Sequence, residues 1–163
     1  MSDAGRTIRA AGTADLDAVL ALNNAAVPAV NHLERDDLQK IVALAAHYRV
    51  CEDASGLLGF VLCLPAGVAY WSENYRWFTR RYDDFLYLDR VVVAERARGQ
   101  GIGAALYEEL HATARGRWPR VTLEVNLRPP NPGSERFHER LGYQRVGVRE
   151  YDEGAVTMYV REL

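Results

Sequence analysis

One segment limits the folds open to this chain more than any other: residues 85–125, in which an apolar run, a glycine-rich loop, an amphipathic stretch and a second apolar run follow in order. "FLYLDRVVV" (85–93) is almost continuously apolar, the pattern of a strand buried on both faces. "RARGQGIGAAL" (96–106) places Gly99, Gly101 and Gly103 at the entry of an expected helix. That helix runs to about Arg115 and buries Ile102, Ala105, Leu106 and Leu110. "RVTLEV" (120–125) then resumes a strand pattern. A strand–helix–strand unit is a crossover, so the two strands it joins are expected to be parallel neighbours.

The rest of the chain reads as antiparallel. "TIRAA" (7–11) is a short first strand, followed by a helix from about Asp15, with Thr13 as its expected cap and Asp15 and Asp17 in its first turn. Leu16, Val19, Leu20 and Asn23 share one face of that helix, and Leu38, Ile41, Val42 and Ala45 mark a second. "YRVCED" and "GLLGFVLCLPA" form a hairpin about "DASG". "WSENYRWFTRRYDD" lacks a strand period and reads as a short irregular helix or flap. The prolines of "NLRPPNPGS" argue against regular ladder pairing there. Asn131 caps a last helix with Pro132 in its first turn, Ser134, Phe137 and Leu141 forming its stripe and Gly142 ending it. "YQRVGVREY" and "AVTMYVREL" close the chain as a hairpin about "DEG".

A length of 163 residues suits a single domain over 1–163. The formal net charge of −2 gives no polycation to attract nucleic acid or an anionic membrane. No apolar stretch reaches membrane-spanning length, and the N-terminus does not read as a signal peptide. Cys51 and Cys63 make neither a disulfide framework nor a metal motif, which favours buried, reduced thiols and a cytoplasmic setting.

The glycine loop opens a helix, where backbone N–H groups and the helix dipole favour an anion. Glycines let phosphate oxygens approach the backbone, and Arg98 adds a positive charge. Taken alone, the glycines fit a plain flexible turn equally well. A Walker loop is excluded because no lysine–hydroxyl pair follows the glycines. The dinucleotide fingerprint is excluded because "AERAR" separates the strand from the loop, and the third glycine position is Ala104.

In this topology the chain resembles the GNAT superfamily of N-acetyltransferases over essentially its whole length. The resemblance rests on "VVVAERARGQGIGAALYEEL", similar to the family's Q/R-x-x-G-x-G/A motif at Arg98, Gly101 and Gly103, and on "NPGSERFHERLGY", similar to its N-x-x-A-x-x-x-Y-x-x-x-G-F segment. It implies an α/β (α+β) fold: a mixed, mostly antiparallel sheet of about 6–7 strands, a central parallel pair that splays apart, and about four flanking helices. It implies acetyl-CoA as cosubstrate. The backbone of Val91, Val92 and Val93 would pair with the pantetheine arm. Arg98, Gly99, Gln100, Gly101, Ile102, Gly103 and Ala104 would hold the pyrophosphate, with Asn131 and Ser134 near the cofactor arm.

The reaction implied is direct transfer to an amine, which needs a base, a polarising donor and an acid for the leaving thiolate. This chain departs from the family at His138, where the family places its tyrosine acid. His138 is either a substitute donor through its N–H or a packing residue. Asp89 and Glu124 are the candidate bases, since each interrupts an apolar run. The structural reading competes with each: for Asp89 a pair with an arginine, although Arg90 lies on the opposite strand face, and for Glu124 a solvated strand face near an arginine. By the resemblance, "VPAVNHL" and "WSENYRWFTRRYDD" would contact the acceptor; Trp71, Tyr75, Trp77 and Phe78 read either as walls of its pocket or as packing under a flap, and Glu73, Asp83 and Asp84 either as attracting a cationic amine or as a solvated loop. The acceptor is a small-molecule or peptide amine. A non-catalytic acyl-CoA-binding module of the same fold is the alternative. A homodimer is compatible with the family, although no stretch marks an interface.

Overall fold

The computed structural model describes residues 5–163. Residues 1–4, on which the expectation about a signal peptide falls, lie outside the described residues. In chain order the elements are β1 (Thr7–Ala10), α1 (Leu16–Ala25), α2 (Arg35–Leu44), β2 (His47–Asp53), β3 (Gly56–Pro65), α3 (Glu73–Thr79), β4 (Leu86–Val93), α4 (Ile102–Ala114), β5 (Arg120–Arg128), α5 (Pro132–Arg140), β6 (Gln144–Tyr151) and β7 (Gly154–Glu162). Short 3₁₀ turns at Thr13–Asp15 and Glu95–Ala97 precede α1 and α4. The strands form one seven-stranded sheet in the order β1-β2-β3-β4-β5-β7-β6. The parallel pair is β4 and β5, with Leu86 opposite Val121 and Tyr87 opposite Thr122 at the start of both strands. The mostly antiparallel sheet with one parallel crossover is therefore as expected.

The chain divides into two compact units. One comprises the residues up to Leu64 with Asp89–Thr113, the other Pro65–Leu88 with Ala114–Leu163. In the first unit, β1 pairs with β2 and β2 with β3, both antiparallel. Ala94 N–H donates to the Leu58 carbonyl, tying the end of β4 to β3. Gly59 of β3 is required here, because a Cβ at that position would stand 2.7 Å from the Val92 carbonyl. Val19, Leu38, Ile41, Phe60, Leu62, Ile102, Leu106 and Leu110 are buried in this unit.

In the second unit, β7 lies between β5 and β6 and is buried from Gly154 to Val160. Phe78, Phe85, Tyr87 and Tyr75 meet as a cluster of tilted and edge-on rings, Phe78 to Tyr87 at 5.9 Å and Tyr75 to Tyr87 at 5.4 Å.

Several local expectations change. Thr13 is not a cap; Gly12 precedes the 3₁₀ turn and the Asp15 carboxylate takes the Gly12 N–H at 2.7 Å. Arg9 of β1 grips the same carboxylate through two bonds of 2.9 Å and holds its pKa below the ordinary value. The cause is a charged hydrogen bond, which a capping rule based on local sequence does not see.

β5 continues to Arg128 instead of stopping at Val125. A register shift between Asn126 and Arg128 lets the ladder with β7 reach Ala155 before the prolines begin. The aromatic segment forms a true helix, capped by the Ser72 Oγ accepting from the Tyr75 N–H at 3.3 Å. On α5 the one buried side chain is His138. Phe137 and Leu141, expected to carry the apolar stripe, are only half-buried.

Candidate active site

In the first unit, β4 ends at Val93, the 3₁₀ turn follows, and the glycine loop enters α4. Gly99 and Gly101 have φ of +75° and +78°, a region open to glycine but strained for other residues. Nothing lies within 4 Å of a Cβ built on either, so the loop backbone is open to an approaching group. The first bond of α4 runs from the Ala105 N–H to the Gly101 carbonyl at 3.0 Å. Helical geometry therefore leaves the amides of Ile102, Gly103 and Ala104 without an intrahelical acceptor. The Arg6 guanidinium fixes the loop from behind by donating to the Gln100 carbonyl at 2.6 Å.

A cavity of about 470 Å³ adjoins this loop, lined by Leu22, Ala25 and Ala26 on the α1 side and by Val92, Val93, Ala94, Glu95, Arg96 and Arg98. Arg96 is committed to the β2–β3 turn, donating to Ser55 Oγ at 2.8 Å and to the Leu57 carbonyl at 2.9 Å. Arg98 is exposed and lines the cavity. One charged arginine, helix-entry amides and glycines with no side chain make a fitting cradle for a pyrophosphate. Val91 and Val93 are half-buried and Val92 buried at the end of β4, leading into that cradle.

Asp89 does not stand apart from Arg90. The Arg90 Nε donates to Asp89 Oδ2 at 2.7 Å, and the two side chains are only 6% and 5% exposed. Arg90 Nη1 also reaches Asn23 Oδ1 of α1 at 3.1 Å. The long arginine stem curls back to its neighbour despite their alternating strand directions, which a period-2 argument does not anticipate. The Arg90–Asn23 bond ties β4 to α1, and the Asp89 carboxylate balances the buried charge of Arg90.

The second unit holds the other chemical cluster. Glu124 of β5, half-buried, accepts the Tyr87 phenol at 2.8 Å on both Oε1 and Oε2. Its Oε1 also accepts from Asn74 Nδ2 of α3 at 3.1 Å, and Asn74 Oδ1 in turn accepts from Arg149 Nε of β6 at 2.6 Å. Tyr87, Asn74 and Arg149 are not singled out by sequence reasoning. Tyr87 looks like one more core aromatic in "FLYLDRVVV". Only the register, which sets Tyr87 opposite Thr122 and so beside Glu124 two residues on, reveals its role.

His138, 7% exposed, rests among Phe137, Tyr143 and Tyr159. Its Nδ1 lies 2.7 Å from the Ser134 carbonyl, an acceptor only, so Nδ1 carries the hydrogen and Nε2 keeps the lone pair. Burial lowers its pKa, outweighing the Ser134 bond that favours the charged form. The N–H that a substitute acid would use is given to the protein backbone. Neutral His138 is thus a proton acceptor at Nε2, unlike a tyrosine acid.

Asn131 caps α5, its Oδ1 accepting the Ser134 N–H at 3.2 Å. Of the aromatic residues expected to wall an acceptor, Tyr75, Trp77 and Phe78 are buried and pack the second unit. Trp71 alone of that group is exposed, at 49%. His47 and His111 are buried and His32 is exposed. Cys51 and Cys63 are buried, and burial pushes the Cys63 thiol well above its ordinary pKa. No helix among the described residues is long and apolar enough to cross a membrane.

Comparison with known proteins agrees with this geometry. Residues 17–143 match the model of the acetyltransferase (GNAT) family. The 5-NmdU N-acetyltransferase of Pseudomonas phage PaMx11 is 39% identical over 64 residues, a match spanning 39% of this chain and 43% of that protein. The fold is similar to that of Arabidopsis thaliana NAA60 in complex with acetyl-CoA, with a TM-score of 0.75 at 20% identity over 97% of this chain and 98% of that one. It is equally similar to the ribosomal-protein-S18-alanine N-acetyltransferase of Escherichia coli, with a TM-score of 0.75 at 16% identity over 96% and 93%. With the family model covering most of its length and the glycine loop placed at the entry of α4, the chain belongs to the GNAT acetyltransferase family.

Proposed function

We propose that this protein is an N-acetyltransferase that moves the acetyl group of acetyl-CoA directly to a primary amine of a small molecule or peptide. The observation that carries the reading is the helix-entry loop, with its left-handed Gly99 and Gly101 and the exposed Arg98 beside the cavity. Arg98 and the amides from Gly99 to Ala104 hold the pyrophosphate of coenzyme A, and Val91–Val93 pair with its pantetheine arm. Acetyl-CoA supplies a thioester whose carbonyl carbon accepts the amine nitrogen while the thiolate departs.

Glu124 is the proposed base. Its carboxylate is already held by two donors, so it takes the ammonium proton without first reorienting. Asp89 acts through its pair with Arg90, holding β4 in place. Asn131 and Ser134 shape the start of α5, where the Ser134 carbonyl sets the tautomer of His138. The name of the phage relative adds 5-NmdU to the panel of acceptor amines to be tried. The reading places the protein in the cytoplasm, with its buried thiols reduced, and leaves room for a homodimer.

One observation favours a second reading, a non-catalytic acyl-CoA-binding module: His138 replaces the tyrosine acid and has no N–H to spare. Both readings require the cofactor site. Differential scanning fluorimetry with acetyl-CoA, NAD and ATP tests it, since a ligand stabilises only the state it binds, by about 2.7 kcal/mol at a hundred times its Kd. Acetyl-CoA is expected to raise Tm and the two nucleotides are not. A rise with NAD or ATP and none with acetyl-CoA would overturn both readings.

A further inference from the structure

We infer that Asn74 and Arg149 act as a positioning relay for the Glu124 carboxylate, Arg149 locking the Asn74 amide in the one orientation that donates to it. This rests on the reading of Glu124 as the base. An asparagine side chain offers a donor end and an acceptor end, and rotation by half a turn exchanges them. Arg149 is only ever a donor, and its Nε lies 2.6 Å from Asn74 Oδ1. That contact turns the amide oxygen toward β6 and the Nδ2 toward Glu124 Oε1, 3.1 Å away. Without Arg149 the amide is free to turn, and its oxygen would then confront the carboxylate, repelling the charged form.

The sequence places the relay by helix and strand periodicity. Asn74 and Trp77 are three apart on α3 and share a face, while Gly147 and Arg149 are two apart on β6 and share a face. The Trp77 ring fills the space a side chain at Gly147 would need, which seats α3 on β6 and brings Asn74 onto Arg149. The N-terminal end of α3 is anchored separately, by the Ser72 cap and by the Tyr75 hydroxyl donating to the Pro65 carbonyl at 2.7 Å. On β6 the Arg149 guanidinium is braced 5.1 Å from the Tyr151 ring centre. The charged and titratable groups that face Glu124 include Tyr87 from β4 and, through the amide, Arg149 from β6. From α3 comes the neutral Asn74, and from β7 Met158, the register partner of Glu124.

A donor that favours the charged carboxylate lowers its proton affinity, so losing that donor raises it. The acid limb of the pH profile of kcat/KM is the readout, measured for the full chain with acetyl-CoA and its best amine. Asn74→Leu removes the donor, and Arg149→Met removes the lock. Both are expected to move the limb to higher pH by on the order of one unit. A purely structural role would lower the whole profile without moving the limb. The relay is overturned when folded variants, checked by circular dichroism, keep the wild-type limb. Should Asn74→Leu fail to fold, Arg149→Met, on a different element, decides alone. Glu124→Gln separates the two ideas: loss of the limb there with no movement in the other variants sinks only the relay, whereas a limb that survives in Glu124→Gln sinks the base.

Discussion

Glu124→Gln is expected to lower kcat/KM by about 10²–10⁴-fold, the range for removing a positioned general base. Gln keeps the size and shape of the side chain but has no carboxylate to take a proton. With its carbonyl oxygen at the Oε1 position the amide still accepts from Tyr87 and Asn74, so the substitution removes the proton acceptor with little disturbance of its neighbours. The position is half-buried, so the fold should survive with a modest fall in Tm. Initial rates of thiol release at saturating acetyl-CoA measure the effect. A loss below tenfold would remove Glu124 from the mechanism and hand proton removal to a water chain. Asp89 makes a poor understudy, because its carboxylate is engaged by Arg90 and nearly sealed from solvent.

The second large effect is expected at Gly101→Val. Gly101 has φ of +78°, and a β-branched residue held there is strained by about 1–3 kcal/mol. Space is not the issue, since nothing lies within 4 Å of the new Cβ. The loop will relieve the strain by changing its backbone, which turns the helix-entry amides off their common target. Affinity for coenzyme A, read by titration calorimetry, should fall by about tenfold or more, as about 1.4 kcal/mol of lost binding corresponds to a factor of ten. Tm in the absence of ligand should fall by no more than a few degrees, because the loop relaxes part of the strain. Undiminished coenzyme A affinity would mean that the loop amides do not hold the pyrophosphate.

The parallel crossover was legible because three signals coincide between residues 85 and 125: buried strand, glycine loop and amphipathic helix. Periodicity of this kind is local, so the order of elements can be read without knowing what touches what. The glycine loop at the entry of α4 was legible for the same reason, its glycines and arginine lying within a few residues of one another. The proposed base site was only half legible. Glu124 announces itself as a charge in an apolar strand, but its hydrogen-bond donors come from α3 and β4, with Arg149 of β6 behind Asn74, and pairing across a sheet depends on register.

Asn74 lies in a segment whose aromatic residues dominate its sequence, and three of them, Tyr75, Trp77 and Phe78, are buried in packing. Asp89 and Arg90 show the reverse error: strand alternation puts them on opposite faces, yet a flexible side chain joins them. His138 stands out in the sequence as a departure from the family's tyrosine, but its tautomer depends on one backbone carbonyl, and no sequence pattern carries that.

The central claim is transfer of an acetyl group to an amine nitrogen, and mass spectrometry of the acceptor tests it most directly. The purified protein would be incubated with acetyl-CoA and a panel of small amines, N-terminal peptides and 5-NmdU, with thiol release followed in parallel. The account predicts at least one amine that gains a single acetyl group on nitrogen, in step with the thiol released. Tight acetyl-CoA binding with no acetylated product from any amine would contradict it and leave a binding module in its place.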